Sequence, residues 1–432
     1  MFKYLGQIWQ AKDLRNKLLF TVAMIVVYRM LAHITIPGVD LEALQTVFER
    51  NKILGAFSLL MGGSTKNFSV VLMGLSPYIN AVIIIQLLQV IIPRLEALSK
   101  EGEQGRKKIT QYTRILTIPM AFIQSYGMIL LLNSQSSVEI IKDMNSPAVI
   151  LPIMLTITAG TMLLMWLGEL ITEKGISNGV SIIIFSGIIA GLPNVAGQAL
   201  ALATEDNSRL IPLTAGALIT VILAVIIILI TEGQRKIPVT YSGRSGVSKG
   251  EQASLPIRIN QAGMIPIIFA VSMITFPGIL GQFMVNGESA WVIATGEWLQ
   301  SAFQIGTGIY IFLYAALIIA FTYFYVSITF NPDDVAENIQ KRGGFIPGIR
   351  PGKQTAEYLK KVSNHLNLFG GLFIAFIAVM PILMQKTLAS STMGSVPMLI
   401  SGAGMIIVVG VVLELIRQIN AQLIMHNYEK FY

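Results

Sequence analysis

Apolar stretches without a charged residue, each roughly 18 residues or longer, recur from one end of this sequence to the other. A helix of about 20 such residues crosses the hydrocarbon core of a bilayer. It also satisfies its own backbone hydrogen bonds, which lipid cannot do for it. The whole chain agrees: of its 432 residues 53% are hydrophobic and only 12% charged, about half the charge of a typical soluble domain. These runs predict an all-α polytopic membrane protein. Its ten transmembrane helices are expected over 18–36, 68–92, 115–133, 148–168, 180–202, 210–231, 263–285, 303–330, 367–385 and 396–413.

The loops between these spans are unequally charged. The amino-terminal segment, every second loop after it and the carboxyl-terminal tail hold 24 of the 31 Lys and Arg residues. The intervening loops hold 6, and Arg29 lies inside the first span. By the positive-inside rule both termini are then cytoplasmic. The net charge of +8 gathers on that face, where it sets topology and attracts anionic lipid. Two loops there, 232–262 and 331–366, are longer than topology needs, and long loops are commonly functional or disordered. Residues 1–17 interleave basic and apolar side chains and lack the small-residue cleavage site of a secretory signal. They read as an amphipathic segment on the membrane surface.

Ten spans divide into an amino-terminal half, 18–203, and a carboxyl-terminal half, 204–432, around the hydrophilic break "TEDNSR" (204–209). A unit with an odd number of spans returns on the opposite side, so the two pseudo-symmetric halves would be inverted. The second span of each half carries a Gly followed three residues later by a Pro: Gly74 and Pro77, then Gly263 and Pro266. Ahead of span 2, "ILGAFSLLMGGSTKN" (53–67) is too short to cross. Either it is a loop tip, or the Gly62-Gly63 break lets a re-entrant half-helix turn back. The second case requires a surrounding cavity.

Catalytic and metal chemistry find little support. There is no cysteine, and His33, His365 and His426 are far apart with no His-Glu-x-x-His pair. "GRSG" (243–246) matches the serine motif of rhomboid-type intramembrane proteases but lies in a polar loop without a partner histidine. "PGKQT" (351–355) lacks the upstream glycine of a phosphate-binding loop and has Gln354 where Ser or Thr belongs. No enzyme and no cofactor are expected. Charges within spans are scarce. Glu169, Glu414 and Arg417 sit near helix ends, where interfacial anchoring explains them better than an ion pathway does.

Three long motifs are more specific: "GLSPYINAVIIIQLLQVIIPRLEAL" (74–98), "TEKGISNGVSIIIFSGIIAGLP" (172–193) and "NPDDVAENIQKRGGFIPGIRPGKQT" (331–355). With the ten spans and the two basic loops, they make the chain resemble the SecY family of bacterial preprotein translocase subunits over essentially its whole length. The resemblance implies a protein-conducting channel in the bacterial cytoplasmic membrane. Such a channel passes unfolded preproteins across and releases apolar segments sideways into membrane lipid. Implied partners are the companion subunits SecE and SecG, the SecA ATPase, the ribosome, signal peptides and preproteins.

Carried over by matched position, the resemblance implies an apolar pore ring of Leu75, Ile79, Ile184, Ile188, Ile268 and Ile407. Ile184 and Ile188, four apart, share one helix face. Taken alone, each of these side chains is better read as core packing or lipid-facing, and only the resemblance raises it to the ring. Residues 55–65 resemble a plug, centred on Gly55, Ala56, Phe57, Ser58, Leu59, Leu60, Met61, Gly62 and Gly63. Spans 2 and 7 resemble the walls of a lateral gate, with Gln86 and Asn260 as polar groups along the seam. "GGFIPGIRPGKQT" (343–355) resembles a partner-docking tip, where glycines and prolines set a protruding turn and Arg350 offers a planar fork of donors. Arg235, Lys236, Arg244 and Lys249 of the other long loop would add basic groups for ribosomal RNA or an acidic patch on the motor. An inverted-repeat secondary transporter and a passive membrane scaffold are the rival readings.

Overall fold

A computed structural model describes residues 9–41, 44, 67–135, 140–141, 146–205, 210–241, 254–285, 287, 289–389 and 401–429. Among these the chain is helical almost throughout. The helices are α1 (Lys12–Leu31), α2 (Ser76–Ile91), α3 (Pro93–Lys100), α4 (Glu103–Gln135), α5 (Pro147–Lys174), α6 (Gly179–Glu205) and α7 (Leu210–Glu232). Three short strands, β1 (Gln234–Pro238), β2 (Thr240–Tyr241) and β3 (Ser254–Arg258), interrupt them. Then follow α8 (Ile265–Val285), α9 (Ala290–Ala302), α10 (Gly308–Thr329), α11 (Pro332–Lys341), β4 (Gly344–Phe345), α12 (Lys353–Ala389) and α13 (Gly402–Glu429). Each of the ten expected spans coincides with one of these helices. Among the described residues six are long and apolar enough to cross a membrane, and α2 with α3 makes a seventh if that bent pair counts as one.

Several boundaries move, for local reasons. Span 2 was expected from residue 68, yet α2 starts only at Ser76. The segment before it is held elsewhere: Ile36 N–H donates to the Phe68 carbonyl at 3.1 Å, and Val70 N–H to the Ile34 carbonyl at 3.0 Å. Phe68 and Leu72 are fully buried there. At the other end Pro93 forces Ile92 into an extended conformation, and α3 leaves α2 at 102°. The helix α1 runs unbroken from Lys12 across the expected boundary at 17/18, and α12 and α13 continue well beyond spans 9 and 10.

Pro77 and Pro266 do not kink their helices. Each is the second residue of its helix, α2 and α8, where a missing N–H costs nothing. Gly74 and Gly263 precede them with φ of 55° and 65°, a left-handed turn that only glycine takes without strain. The two halves thus start these helices with the same device.

Among the described residues three large apolar clusters lie within the helical bundle. One joins α8, α10 and α12, one joins α4 and α5 to the 67–75 segment, and a central one joins α1, α5, α6 and α13. A fourth cluster lies outside them. Ile237, Val239 and Ile257 of the first long loop pack with Ile339, Ile346 and Leu359 of the second. The strands β1 and β3 pair antiparallel, and β2 pairs with β4 across the two loops, Thr240 opposite Phe345 and Tyr241 opposite Gly344. The two loops therefore fold together around one small core, which their spacing in sequence gives no sign of.

Candidate functional site

The central cluster borders a cavity of about 90 Å³ to which six helices contribute. Its walls include Tyr28 of α1, Ile79 of α2, Leu164 of α5, Ile183 and Ile184 of α6, Ile268 of α8 and Ile407 of α13. Leu75, whose carbonyl accepts from Ile79 N–H at 2.9 Å as α2 begins, completes the wall at that point. Five of the six residues expected in an apolar ring thus meet around one space, although they come from four separate parts of the chain. The sixth, Ile188, is buried in the same cluster but does not line the cavity.

Sequence reasoning missed Tyr28, Leu164, Ile183 and Val271. Of these only Ile183 carried a signal, as the neighbour of Ile184 on a helix of known face. Among the described residues the only polar side chains on the walls besides Tyr28 are Ser76 and Ser272, and none that lines the cavity is charged. A volume of about 90 Å³ is large enough to admit water by size alone. Walls this apolar give water few partners and give an ion no ligand, the setting in which a hydrophobic constriction dewets.

The polar residues expected at the seam lie on the two helices that carry Ile79 and Ile268, or beside them. Gln86 is on α2, and its Oε1 is buried without a hydrogen-bond partner. Asn260 is buried at the entrance to α8, where its Oδ1 accepts from Gly263 N–H at 2.9 Å and braces the left-handed turn. The plug residues Gly55 to Gly63 lie outside the described residues, as do Arg244 and Lys249.

The folded pair of long loops presents the remaining basic groups. Arg235 and Lys236 are exposed on β1 while Ile237 turns inward. Arg350 is exposed on a turn bounded by Gly348 and Gly352, with φ of 83° and 97°. Thr355 Oγ1 donates to the Arg350 carbonyl at 3.0 Å, so the turn is braced while the guanidinium stays free to meet solvent. At the root of the hairpin Arg417 pairs with Glu232. Burial and the Arg417 charge push the Arg258 guanidinium below its usual range, against the opposing pull of Glu232 and Glu414. Glu169, read from sequence as an anchor, takes a two-point pair from Arg114: Nε to Oε1 and Nη2 to Oε2, each 2.8 Å.

Comparison with known proteins agrees with this architecture. The family profile described as SecY matches residues 69–416. The protein translocase subunit SecY of Bacillus licheniformis is 38% identical over 440 aligned positions, covering 100% of this chain and 99% of that one. Among solved structures, one described as a protein-conducting channel superposes with a TM-score of 0.64 at 17% identity, covering 94% of this chain and 92% of the other. Sec61 from a canine ribosome-channel complex of the endoplasmic reticulum superposes with a TM-score of 0.61 at 17% identity over the same shares. The last two matches speak to the fold. The profile and the full-length identity speak to descent, and on them the chain belongs to the SecY family.

Proposed function

We propose that this chain forms a protein-conducting channel, with the cavity among α1, α2, α5, α6, α8 and α13 as its closed constriction. The observation that carries this reading is the convergence of Leu75, Ile79, Ile184, Ile268 and Ile407 on one uncharged space at the centre of a membrane-embedded bundle. Apolar rims suit a pore that must pass any sequence. They hold each segment weakly, and they give ions nothing to coordinate. A secondary transporter would need polar or charged groups at such a site, and among the described residues the walls carry only the tyrosine and two serines.

In this mechanism a partner docks on the joined loops through Arg235, Lys236 and Arg350, with Arg244 and Lys249 on the same loop pair. A signal helix enters between α2 and α8. The segment 55–65 moves away, and the ring widens around the translocating chain. No nucleotide motif is present in the sequence, so the driving energy comes from the docked motor ATPase SecA or from the ribosome, with SecE and SecG as companion subunits. The like-folded canine structure is described as a ribosome-channel complex, which supports the ribosomal assignment. Both termini would face the cytoplasm, on the side of the basic loops.

The test is reconstitution. Vesicles holding this chain with its companion subunits, supplied with motor and ATP, should protect an added secretory protein from external protease. No protection from a verified folded complex would overturn the proposal.

A further inference from the structure

The helix α9 has no role in the channel as described. It follows α8 after a short connection and folds back along it. A Cβ at Gly281 would meet the Gly296 carbonyl oxygen at 2.9 Å, and one at Gly296 would meet the Val285 amide nitrogen at 2.7 Å. The two backbones touch because neither residue has a side chain, so α9 is a rigid extension of α8. The face turned away from α8 presents Trp291 and Trp298, 72% and 58% exposed. Seven residues apart, they share one side of the helix about 10 Å apart along its axis.

We propose that α9 dips through the membrane–water interface beside α8, with Trp291 at the level of the lipid headgroups and Trp298 at the top of the acyl chains, the two anchoring the outer end of α8. Three observations favour lipid over a protein or open water. Tryptophan joins an apolar body to one N–H donor, the combination enriched where hydrocarbon meets water. The helix carries a single charged residue, Glu297, too little charge to make an electrostatic docking face. Nearby in sequence, Ile309 and Phe312 at the start of α10 are also exposed apolar side chains, 47% and 73%. On a membrane-embedded helix such side chains face lipid.

The packing also fixes an order of depth. Gly287 lies against Val292, Gly281 against Leu299 and Gly278 against Phe303, so α9 descends along α8 as its numbering rises. Trp298 therefore sits nearer the hydrocarbon than Trp291.

Tryptophan fluorescence tests this in the reconstituted full-length chain. The sequence has four tryptophans, Trp9, Trp166, Trp291 and Trp298. Trp→Phe substitution of the other three leaves one reporter at a time, and Trp166, 54% exposed on α5, serves as the lipid-facing control. In vesicles of lipid brominated near the headgroup end of the acyl chain, both Trp291 and Trp298 should lose fluorescence, Trp298 the more. Quenching of Trp166 alone, with Trp291 and Trp298 quenched by iodide from water, would overturn the proposal. So would resistance to both quenchers, which would mean a protein cover. A variant that fails to fold is replaced by the single substitutions Trp291→Phe and Trp298→Phe, each of which should reduce the brominated-lipid quenching of the otherwise unaltered chain.

Discussion

Arg417 of α13 holds Glu232 of α7 through Nε at 3.1 Å and Nη2 at 2.5 Å, both on the same carboxylate oxygen. The same Nη2 reaches the Thr231 carbonyl at 3.4 Å. One residue later Gly233 accepts from Ile259 N–H at 3.0 Å and closes the base of the β1–β3 hairpin. Because α13 also carries Ile407 into the cavity, this pair ties the root of the basic loops to a helix that lines it. Half-exposed pairs contribute only about 0.2–1 kcal/mol to stability, so its value lies in position. Arg417→Glu should lower motor-driven transport while shifting thermal unfolding only slightly, and adding Glu232→Arg should restore transport. Full transport by the single variant would refute the coupling.

The apolar barrier predicts leak. Ile79→Asn or Ile268→Asn places an amide on the cavity wall, gives trapped water a partner and weakens dewetting. Single-channel recording in planar bilayers should show raised ion conductance from either variant in the absence of substrate. Conductance unchanged from the parent would remove these residues from the barrier.

Docking through the braced turn predicts a selective defect at Arg350. The side chain is exposed, so Arg350→Glu should change stability by no more than about 0.5 kcal/mol. Motor-stimulated export should nonetheless fall sharply. Arg350→Lys should recover only part of the loss, because an ammonium lacks the planar fork. Normal export by Arg350→Glu, with the protein folded, would rule out this docking role.

Gly263 isolates backbone conformation from packing. A Cβ there meets nothing within 4 Å, yet φ is 65°. Gly263→Ala should therefore cost roughly 1–2 kcal/mol through left-handed strain alone, read as a lowered unfolding midpoint in detergent. No change would mean that the turn relaxes and does not fix the entry to α8.

Much of this was legible in the sequence because lipid imposes a single rule on a crossing segment. The apolar runs located the helices, and the bias of Lys and Arg marked one face. What stayed hidden depends on contacts between distant residues. Phe68 looked like the start of a span, but its carbonyl is taken by Ile36. Tyr241 and Gly344 pair across about a hundred residues, and no local pattern announces that. Trp291 and Trp298 stood in a loop with no Lys or Arg, and the Gly281–Gly296 contact that seats their helix against α8 joins residues of separate elements. For the cavity, the resemblance pointed to Leu75, Ile79, Ile184, Ile268 and Ile407. Tyr28 and Leu164 became visible only when the helices were packed.

The central claim is that a polypeptide passes through the space between Ile79 and Ile268. A photo-crosslinker at each position, with a secretory protein stalled halfway through export, addresses it directly. The account predicts crosslinks from both positions to the stalled chain. Verified stalling with no crosslink from either would contradict it and return the transporter reading to the front.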